Sequence, residues 1–213
     1  MRVATIVLSA GESRRMGTPK ALLPVGSGGA VGSGGAVGSG GAEQSFLGRV
    51  LATARAAAAP VVVVLGHHAS AIRAGVELAG VHVIENPSPE LGMLSSLKVG
   101  LRALAESPSD ITGVLSWPVD HPLVRPATLA RLLEEHAAHP GRAIVPRFEG
   151  RGGHPALFAR TLWPALLALP DDGGARGLYE RQPRAIVRID VDDPGVVHDV
   201  DTPDDYRKLR GSM

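Results

Sequence analysis

Cysteine is absent from this 213-residue sequence, and aromatic side chains make up only 3% of it. Without cysteine the chain has no disulfides, no thiolate metal site and no cysteine nucleophile. With so few aromatic residues, the core must be built mainly from Ala, Val, Leu and Ile, and few rings are present to stack on nucleobases. The composition therefore predicts a thiol-free globular protein with an aliphatic core.

The sequence also has no excess of charge of either sign, because its formal net charge is +1. A nucleic-acid-binding surface usually has a clear basic excess, so we expect no nucleic-acid partner. No apolar run reaches membrane-spanning length, so we expect no membrane partner, and the first residues are typical of a strand rather than a signal peptide. We expect a cytoplasmic protein with a single domain over residues 1–213.

The stretch at residues 3–24, VATIVLSAGESRRMGTPKALLP, carries most of the chemistry. Its apolar, β-branched start predicts a buried strand, which breaks at Ser9 into small and cationic residues. A glycine-containing turn after a strand can point several N–H groups at phosphate oxygens, and Arg14, Arg15 and Lys20 add positive charge to this turn. We expect the turn to wrap a triphosphate, and the alternative is a basic surface turn.

The turn lacks both common phosphate-loop patterns, G-x-x-x-x-G-K-S/T and G-x-G-x-x-G. It resembles instead the pattern L-x-A/G-G-x-S-x-R-M-G-x-x-K-x-L-L-P of nucleotidyltransferases similar to the molybdenum cofactor cytidylyl- and guanylyltransferases. The resemblance implies catalytic roles for Arg15 and Lys20, which would neutralise charge on the phosphates. It also implies nucleotide binding by the residues Leu8, Ser9, Ala10, Gly11, Ser13, Arg15, Gly17 and Lys20.

Residues 26–42 read GSGGAVGSGGAVGSGGA, in which a Gly-Ser-Gly-Gly-Ala-Val unit is repeated. This composition is typical of flexible linkers and buries too little apolar surface to order itself. We therefore expect a flexible insert without a catalytic role, placed between the turn and a helix that begins near Ser45. A lid over the site is the alternative, because the insert begins close to the turn.

A second motif begins at Asn86, after two further predicted strands. It resembles the relatives' pattern N-P-x-x-x-x-G-M-x-x-S-L-x-x-G-L, which borders the base and ribose of the nucleotide. We expect nucleotide contacts from Asn86, Gly92 and Ser95 in this segment, and from Gly66 at the end of the second strand. The alternative is structural, with Ser95 or Ser96 as the N-cap of a helix.

Two remote carboxylates are the candidate metal ligands. Asp120 follows the predicted strand at 111–117, and open α/β sheets bind ligands beyond the carboxyl ends of their strands. It resembles the metal-binding Asp of the relatives' D-Q-P motif, although His121 stands in the place of Gln. Asp201 lies in DVDTPDDY, which resembles their D-I/V-D-T-P-x-D-Y. The resemblance implies that both bind one Mg²⁺, with Asp120 catalytic. The alternatives are a turn residue and a helix cap.

Three further polar segments have weaker signals. The segment ending in GGHP resembles the relatives' G-x-x-G-H-P-x-x-F, and the segment DGGAR resembles their G-D-x-G-A-R. These resemblances imply acceptor contacts by Gly153, His154 and Arg176, whereas the alternative is a pair of ordinary loops. His67 and His68 follow the second strand, and we interpret them as polar loop residues, with a nucleobase contact or a metal site as alternatives.

Strands alternate with helical stretches along most of the chain, which predicts a three-layer α/β domain with a mostly parallel mixed sheet. The family resemblance implies a Rossmann-like nucleotidyltransferase fold and a Mg²⁺-dependent reaction. In that reaction an acceptor phosphate attacks the α-phosphorus of a nucleoside triphosphate and releases pyrophosphate. In the relatives, alanine at the position of Ala10 accompanies cytidine nucleotides, so we expect CMP transfer from CTP.

Molybdopterin is the acceptor that the resemblance favours, with a molybdoenzyme or its chaperone as a protein partner. A sugar 1-phosphate or another small phosphorylated alcohol is the alternative acceptor. A non-catalytic nucleotide-binding or cofactor-binding protein is the alternative class. The presence of Lys20, Asp120 and Asp201 favours an enzyme, because a binding protein needs no such set of charges.

Overall fold

The computed structural model describes residues 2–25, 44–106 and 110–211 of the chain. The expected insert at residues 26–42 lies outside these described residues, so its flexibility stays a prediction, as does the single-domain organisation. Within the described ranges, no helix has the length and apolar character needed to cross a membrane.

The described residues alternate between strands and helices. The strands are β1 (Arg2–Ser9), β2 (Pro24–Val25), β3 (Gln44–Ser45), β4 (Val61–Leu65), β5 (His82–Glu85), β6 (Ile111–Pro118), β7 (Ala143–Phe148), β8 (Arg151–Gly152), β9 (Ala156–Ala159) and β10 (Ile186–Asp190). The helices are α1 (Phe46–Ala57), α2 (Ala69–Gly75), α3 (Met93–Glu106), α4 (Pro126–Ala138), α5 (Trp163–Leu167), α6 (Arg176–Arg181) and α7 (Pro203–Gly211).

The main sheet has the strand order β10-β7-β9-β6-β1-β4-β5, with β8 paired to β7. Neighbouring strands run parallel in the pairs β1–β4, β1–β6, β4–β5 and β7–β10. In contrast, β9 runs antiparallel to both β6 and β7. The architecture is a three-layer, Rossmann-like α/β fold with a mostly parallel mixed sheet, which confirms the prediction from the alternation of elements.

Both faces of the sheet are covered, because its central strands are apolar at nearly every position. Along β1, Val3 and Val7 belong to one core, whereas Ala4 and Ile6 belong to the other. Helices α1 and α4 contribute to the first core, and α3 and α5 to the second. Burial on both faces explains continuous apolar runs such as VVVVL in β4, of which every residue is buried.

The chain changes direction across the sheet at β1. It adds β4 and then β5 on one side of β1, and β6 on the other side. The loops that leave β1 and β6 therefore diverge, and they open a crevice at the carboxyl ends of these strands, where open α/β sheets bind ligands. The backbone N–H of Val119, just after β6, donates to the carbonyl of Leu8 in β1 at 3.0 Å and fixes the base of this crevice.

The start of α3 differs from the expectation. The helix begins at Met93, after Gly92 at a φ of +93°, so the structural alternative, in which Ser95 or Ser96 is its N-cap, is wrong. The hydroxyl of Ser95 instead donates to the carbonyl of Gly92 at 2.8 Å, inside the first turn of the helix. The left-handed backbone at the glycine starts the helix earlier than the serines suggest.

The C-terminal helix α7 is fixed at its start and on its side. Thr202 is its N-cap, because its hydroxyl accepts from the N–H of Asp205 at 3.2 Å, and the Asp205 carboxylate accepts from the N–H of Thr202 at 2.9 Å. The hydroxyl of Tyr206 donates to the carbonyl of Pro24 at 2.9 Å. Since β2 and β3 pair antiparallel, α7 is tied to the short ribbon on either side of residues 26–43.

A buried histidine lies at the other end of the sheet from the crevice. His136 of α4 has its Nε2 3.2 Å from the hydroxyl of Thr112, while its buried Nδ1 has no hydrogen-bond partner among the described residues. The ring packs over Gly113, where an added Cβ would lie 2.9 Å from it. Burial lowers the pKa of His136 below its usual value of 6.5, so the ring is neutral near pH 7.

We expect the free energy of unfolding to fall as the pH drops below about 6.5 toward the lowered pKa of folded His136, because protonation would charge a buried ring. Replacement His136→Gln should reduce this fall. His82→Gln, at an exposed position on β5, is the control and should leave it unchanged. Urea unfolding at about pH 8 and about pH 5 measures the effect. An equal fall in the wild type and in His136→Gln would contradict the assignment.

Candidate active site

The crevice between β1 and β6 is a cleft of about 390 Å³. Most residues that the sequence predicts for the site line it, namely Leu8, Ser9, Ala10, Gly11, Ser13, Arg15, Lys20, Gly92, Asp120 and Asp201. The remaining predicted residues lie outside its lining: Gly17, Gly66, Asn86, Ser95, Gly153, His154 and Arg176.

The turn after β1 is shaped by hydrogen bonds to Ser13. This residue has a left-handed φ of +56°, and its carbonyl accepts from Met16 at 2.9 Å and from Gly17 at 3.1 Å. Its hydroxyl accepts from the N–H of Lys20 at 3.2 Å. Gly17 has a φ of +67°, in the region that favours glycine. Gly17 therefore shapes the turn from outside the cleft, whereas Ser13 both shapes the turn and lines the cleft.

Gly11 and Gly66 are glycines for different physical reasons. A Cβ added at Gly11 would meet no atom within 4 Å, so this position leaves backbone open toward the cleft. A Cβ at Gly66 would lie 2.5 Å from the carbonyl oxygen of Ala10 and 2.8 Å from the Cβ of Pro89. The fold therefore requires glycine at 66, where the end of β4 packs against the turn, but it does not require glycine at 11.

Lys20, Asp120 and Asp201 meet in the cleft. The ammonium of Lys20 donates to Oδ2 of Asp120 at 3.1 Å and also to Oδ1 of Asp201. The guanidinium of Arg15 donates to Oδ2 of Asp201 at 2.5 Å. The side chains of Lys20, Asp120 and Asp201 are 14%, 22% and 23% exposed, so the cluster is partly buried but open to a ligand.

Three backbone segments position this cluster. Lys20 begins a 3-10 turn that is anchored by buried Ala21. Asp120 follows β6, and its backbone carbonyl accepts from the N–H of Val200 at 3.0 Å. Because Val200 is also buried, the next residue, Asp201, is held beside Asp120. The structure therefore brings together the two carboxylates that the sequence suggests as partners.

The charges of the cluster support one another. Burial alone would lower the pKa of Lys20, but Asp120 and Asp201 outweigh this effect and raise the pKa from its usual value of 10.5. Burial would likewise raise the pKa of Asp201, but the hydrogen bonds and charges of Lys20 and Arg15 hold it below its usual value of 3.8. At neutral pH the cluster therefore contains an ammonium and an ionised Asp201.

The cluster contains the donors that Mg²⁺ prefers. Asp120 and Asp201 both reach the Nζ of Lys20, so their oxygens can converge on a single cation. Among the residues that the structure describes, no group of three or more His, Cys, Asp or Glu side chains could hold a metal ion. Mg²⁺ usually takes one or two carboxylates, together with waters and phosphate oxygens. The two aspartates fit such an ion when phosphates complete its coordination.

Asn86 and Ser95 support one wall of the cleft from behind. The side-chain amide of Asn86 donates to the hydroxyls of Ser95 at 2.8 Å and Ser96 at 2.9 Å, and its oxygen accepts from the N–H of Ser88 at 2.9 Å. Ser96, rather than Ser95, lines the cleft. The serine of the N-P-x-x-x-x-G-M-x-x-S-L pattern falls on Ser96, so the spacing itself could have identified it.

Several lining residues have no strong sequence signal. Met93, at the start of α3, is 51% exposed and borders the cleft. The Nε2 of His68 lies 2.8 Å from the carbonyl of Glu12, which links the end of β4 to the phosphate turn. His68 therefore lines the cleft beside the turn, and whether it contacts a nucleobase stays a prediction. The lining residues to which the sequence patterns assign no ligand contact are Glu12, Pro19, Ala21, Ile72, Pro89, Met93, Ser96, Pro118 and Val119.

The residues expected to contact the acceptor lie outside the cleft lining, and two of them are packed against other parts of the fold. A Cβ at Gly153 would lie 2.1 Å from the carbonyl oxygen of Val196, so close packing requires this glycine. The ring of His154 lies 5.1 Å from that of His121. Burial, with repulsion from His121, lowers the pKa of His154 to about 4, so its ring is neutral at pH 7. Arg176 is exposed at the start of α6.

The family described as the MobA-like NTP transferase domain matches residues 5–186 of the chain, from β1 to the start of β10. The chain belongs to the MobA-like NTP transferase family. This membership confirms the family resemblance that was inferred from the motif in the turn after β1. It also places the cleft at the carboxyl ends of β1 and β6 in a nucleotidyltransferase fold.

Two relatives are similar to this MobA-like chain over nearly its whole length. Nicotine blue oxidoreductase of Paenarthrobacter nicotinovorans is 31% identical over 222 residues, which cover 97% of this chain and 96% of the relative. Purine catabolism protein PucB of Bacillus subtilis (strain 168) is 30% identical over 210 residues, which cover 98% and 96%. Family membership therefore does not by itself specify the substrate.

Among solved structures, the manganese complex of Rv0371c from Mycobacterium tuberculosis H37Rv is similar to this MobA-like chain. The two are 31% identical, the match covers 100% of each chain, and the TM-score is 0.70. That relative was crystallised with a divalent cation, which agrees with the donor set of the two aspartates in the cleft.

We expect Gly11→Ala to weaken nucleotide binding by about tenfold, because its methyl group would enter the cleft beside the phosphate turn. Its melting temperature should change little, because the methyl meets no atom of the fold. Gly66→Ala is the matched contrast and should lower the melting temperature by several degrees, since its Cβ would collide with the Ala10 carbonyl. Calorimetric titration and thermal unfolding measure the two effects. Similar melting temperatures for both variants would contradict the division of roles.

Proposed function

We propose that this chain transfers a nucleotidyl group from a nucleoside triphosphate to a phosphorylated acceptor. The observation that carries the proposal is the meeting of Lys20, Asp120 and Asp201 beside an open glycine turn, in the crevice between β1 and β6. An acceptor phosphate oxygen forms a bond to the α-phosphorus, and the bond from that phosphorus to the bridging oxygen breaks and releases pyrophosphate. Such a reaction depends mainly on positioning and charge stabilisation.

The phosphate turn binds the triphosphate in this proposal. Open backbone at Gly11 lets phosphate oxygens approach N–H groups, while Arg15 and Lys20 neutralise their charge. Arg15 is well exposed, so its guanidinium can follow the ligand. On the opposite wall, Gly92 and Met93 border the base and ribose. Other predicted nucleotide-binding residues position these groups from outside the cleft, namely Gly17, Gly66, Asn86 and Ser95.

Asp120 and Asp201 hold Mg²⁺ in this proposal. Their convergence on one point beside Lys20 suits a divalent cation, and the manganese complex of a relative supports this choice. When bound, the ion would supply charge neutralisation at the reacting phosphates. Asp120, on the loop after β6, orients the reacting groups, and Lys20 stabilises the negative charge that develops during transfer.

We further propose CTP as the donor and molybdopterin as the acceptor. Ala10 lines the cleft, and a methyl group near the plane of the base would crowd a purine more than a pyrimidine. Gly153, His154 and Arg176 would contact the acceptor. A sugar 1-phosphate or another small phosphorylated alcohol is the alternative acceptor, and a non-catalytic binding protein is the alternative class. A cytoplasmic location and a molybdoenzyme or its chaperone as partner belong to the same proposal.

The relative named nicotine blue oxidoreductase supports a second candidate activity, because it matches almost the whole chain. Thiol-based electron transfer is excluded here, since the chain has no cysteine. The charges of Lys20, Asp120 and Asp201 suit phosphates and a cation more than they suit an electron carrier. Nucleotidyl transfer therefore comes first, and an assay for the oxidation or reduction of nicotine blue tests the competing activity.

The proposal is tested by pyrophosphate release with each of the four nucleoside triphosphates, Mg²⁺ and a panel of phosphorylated acceptors. We expect acceptor-dependent release that is fastest with CTP and molybdopterin. Faster release with a sugar 1-phosphate would show that this compound, rather than molybdopterin, is the acceptor. Tighter binding of GTP or ATP than of CTP would show that the donor is a purine nucleotide. Nucleotide binding without release for any acceptor would contradict the transferase assignment and favour a binding protein.

Asp120→Asn should lower the turnover number by about a hundredfold or more, because it removes a charge at the reacting phosphates. The fold should persist, because Asp120 is not part of the apolar cores. Asp199→Asn is the matched control, since Asp199 is exposed and lies near Asp201 in sequence. Steady-state kinetics with thermal unfolding separate the two effects. Near wild-type turnover in folded Asp120→Asn would show that the metal assignment is wrong.

A further inference from the structure

Lys20 lies at the point where the two proposed metal ligands converge. Its ammonium donates to Asp120 at 3.1 Å and also to Asp201, whose second oxygen accepts from Arg15 at 2.5 Å. Two negative charges therefore face two positive charges in this part of the cleft. A divalent cation would bring the same two positive charges to the same oxygens, so it competes directly with these side chains.

We propose that Lys20 is a built-in substitute for the divalent cation in the nucleotide-free protein, and that it releases the two aspartates when its ammonium moves to the phosphates of the nucleotide. The inference rests on the proposed function, because it uses the same carboxylates and the same phosphate turn. It assigns Lys20 a second role, in which the lysine controls when Asp120 and Asp201 are free to bind a cation.

The backbone around Lys20 lets the side chain move alone. The N–H of Lys20 donates to the hydroxyl of Ser13 at 3.2 Å. Two backbone hydrogen bonds close the 3-10 turn, from the N–H of Leu22 to the carbonyl of Pro19 at 2.9 Å and from the N–H of Leu23 to the carbonyl of Lys20 at 3.0 Å. The ammonium is at the end of a flexible four-carbon chain that lines the same cleft as the glycine turn. Side-chain rotation is therefore sufficient for the exchange.

The exchange couples the nucleotide to the cation. Without a cation between them, Asp120 and Asp201 would face each other as like charges, which is unfavourable. Lys20 removes this repulsion in the nucleotide-free protein, but it also lowers the affinity for a bare divalent ion. When a triphosphate attracts the ammonium, the carboxylates lose their partner and their affinity for the divalent ion rises.

Bare Mn²⁺, without nucleotide, is the probe. The loss of the free Mn²⁺ signal in electron paramagnetic resonance gives its dissociation constant for the wild type and for Lys20→Met, which removes the ammonium and keeps a long side chain. Arg14→Met is the matched control, because it removes the same charge from the same turn. The guanidinium of Arg14 pairs with Glu12 at 2.6 Å and not with the aspartates.

We expect Lys20→Met to bind Mn²⁺ at least about tenfold more tightly than the wild type. The positive charge of the Lys20 ammonium would no longer occupy the position of the ion between the two carboxylates. Arg14→Met should bind it as the wild type does. Adding Asp201→Asn to Lys20→Met should abolish the gain. Mn²⁺ should also raise the melting temperature of Lys20→Met more than that of the wild type.

Equal Mn²⁺ affinity in the wild type and in Lys20→Met would overturn the inference, and so would an equal gain in Arg14→Met. Lys20→Gln provides the same test if Lys20→Met does not fold. The result is separate from the proposed function, because the titration involves no turnover. If pyrophosphate is released but Lys20→Met gains no Mn²⁺ affinity, only the proposal that Lys20 takes the place of the cation is refuted. If the affinity rises but no pyrophosphate is released, only the proposed transferase activity is refuted.

Discussion

Two like charges can be held side by side in a partly buried cleft only when an opposite charge lies between them. In this protein Lys20 supplies that charge to Asp120 and Asp201, and much of the architecture serves to bring the three together. The sheet places the loop after β6, which carries Asp120, next to the turn after β1, which carries Lys20. The hydrogen bond from the N–H of Val200 to the Asp120 carbonyl then holds Asp201 beside them. The cluster is the point at which strand order, loop geometry and electrostatics depend on one another.

The residues of the candidate site divide into those that shape the cleft and those that face it. Gly66 permits a close approach of two backbones, and Asn86 bonds a buried group of serines behind the wall. Gly11 and Lys20 face the open space. Substitutions in the first group should act through the position of the wall, and substitutions in the second group should act on the ligand directly. A motif contains both kinds of residue without distinguishing them.

The sequence predicts most of the fold, because apolar runs such as that of β4 and the placement of Asp120 after a strand follow from local patterns. It predicts the phosphate turn equally well, since many spacings agree with one family. It misses residues whose position depends on packing between distant segments. His68 reaches the turn where the end of β4 packs closely at Gly66, and the early start of α3 depends on the left-handed backbone at Gly92. Neither feature has a periodic signal in the sequence.

The contact between Lys20 and Asp201 also has a consequence for the synthesis of the protein. These residues are 181 positions apart, and Asp201 lies just before α7. A ribosome therefore synthesises Lys20 and Asp120 well before it adds the last member of the charge cluster. In a nascent chain that has not yet reached residue 201, Asp120 is the only aspartate of this pair that is available to Lys20. The cluster can therefore be completed only after residue 201 has been synthesised.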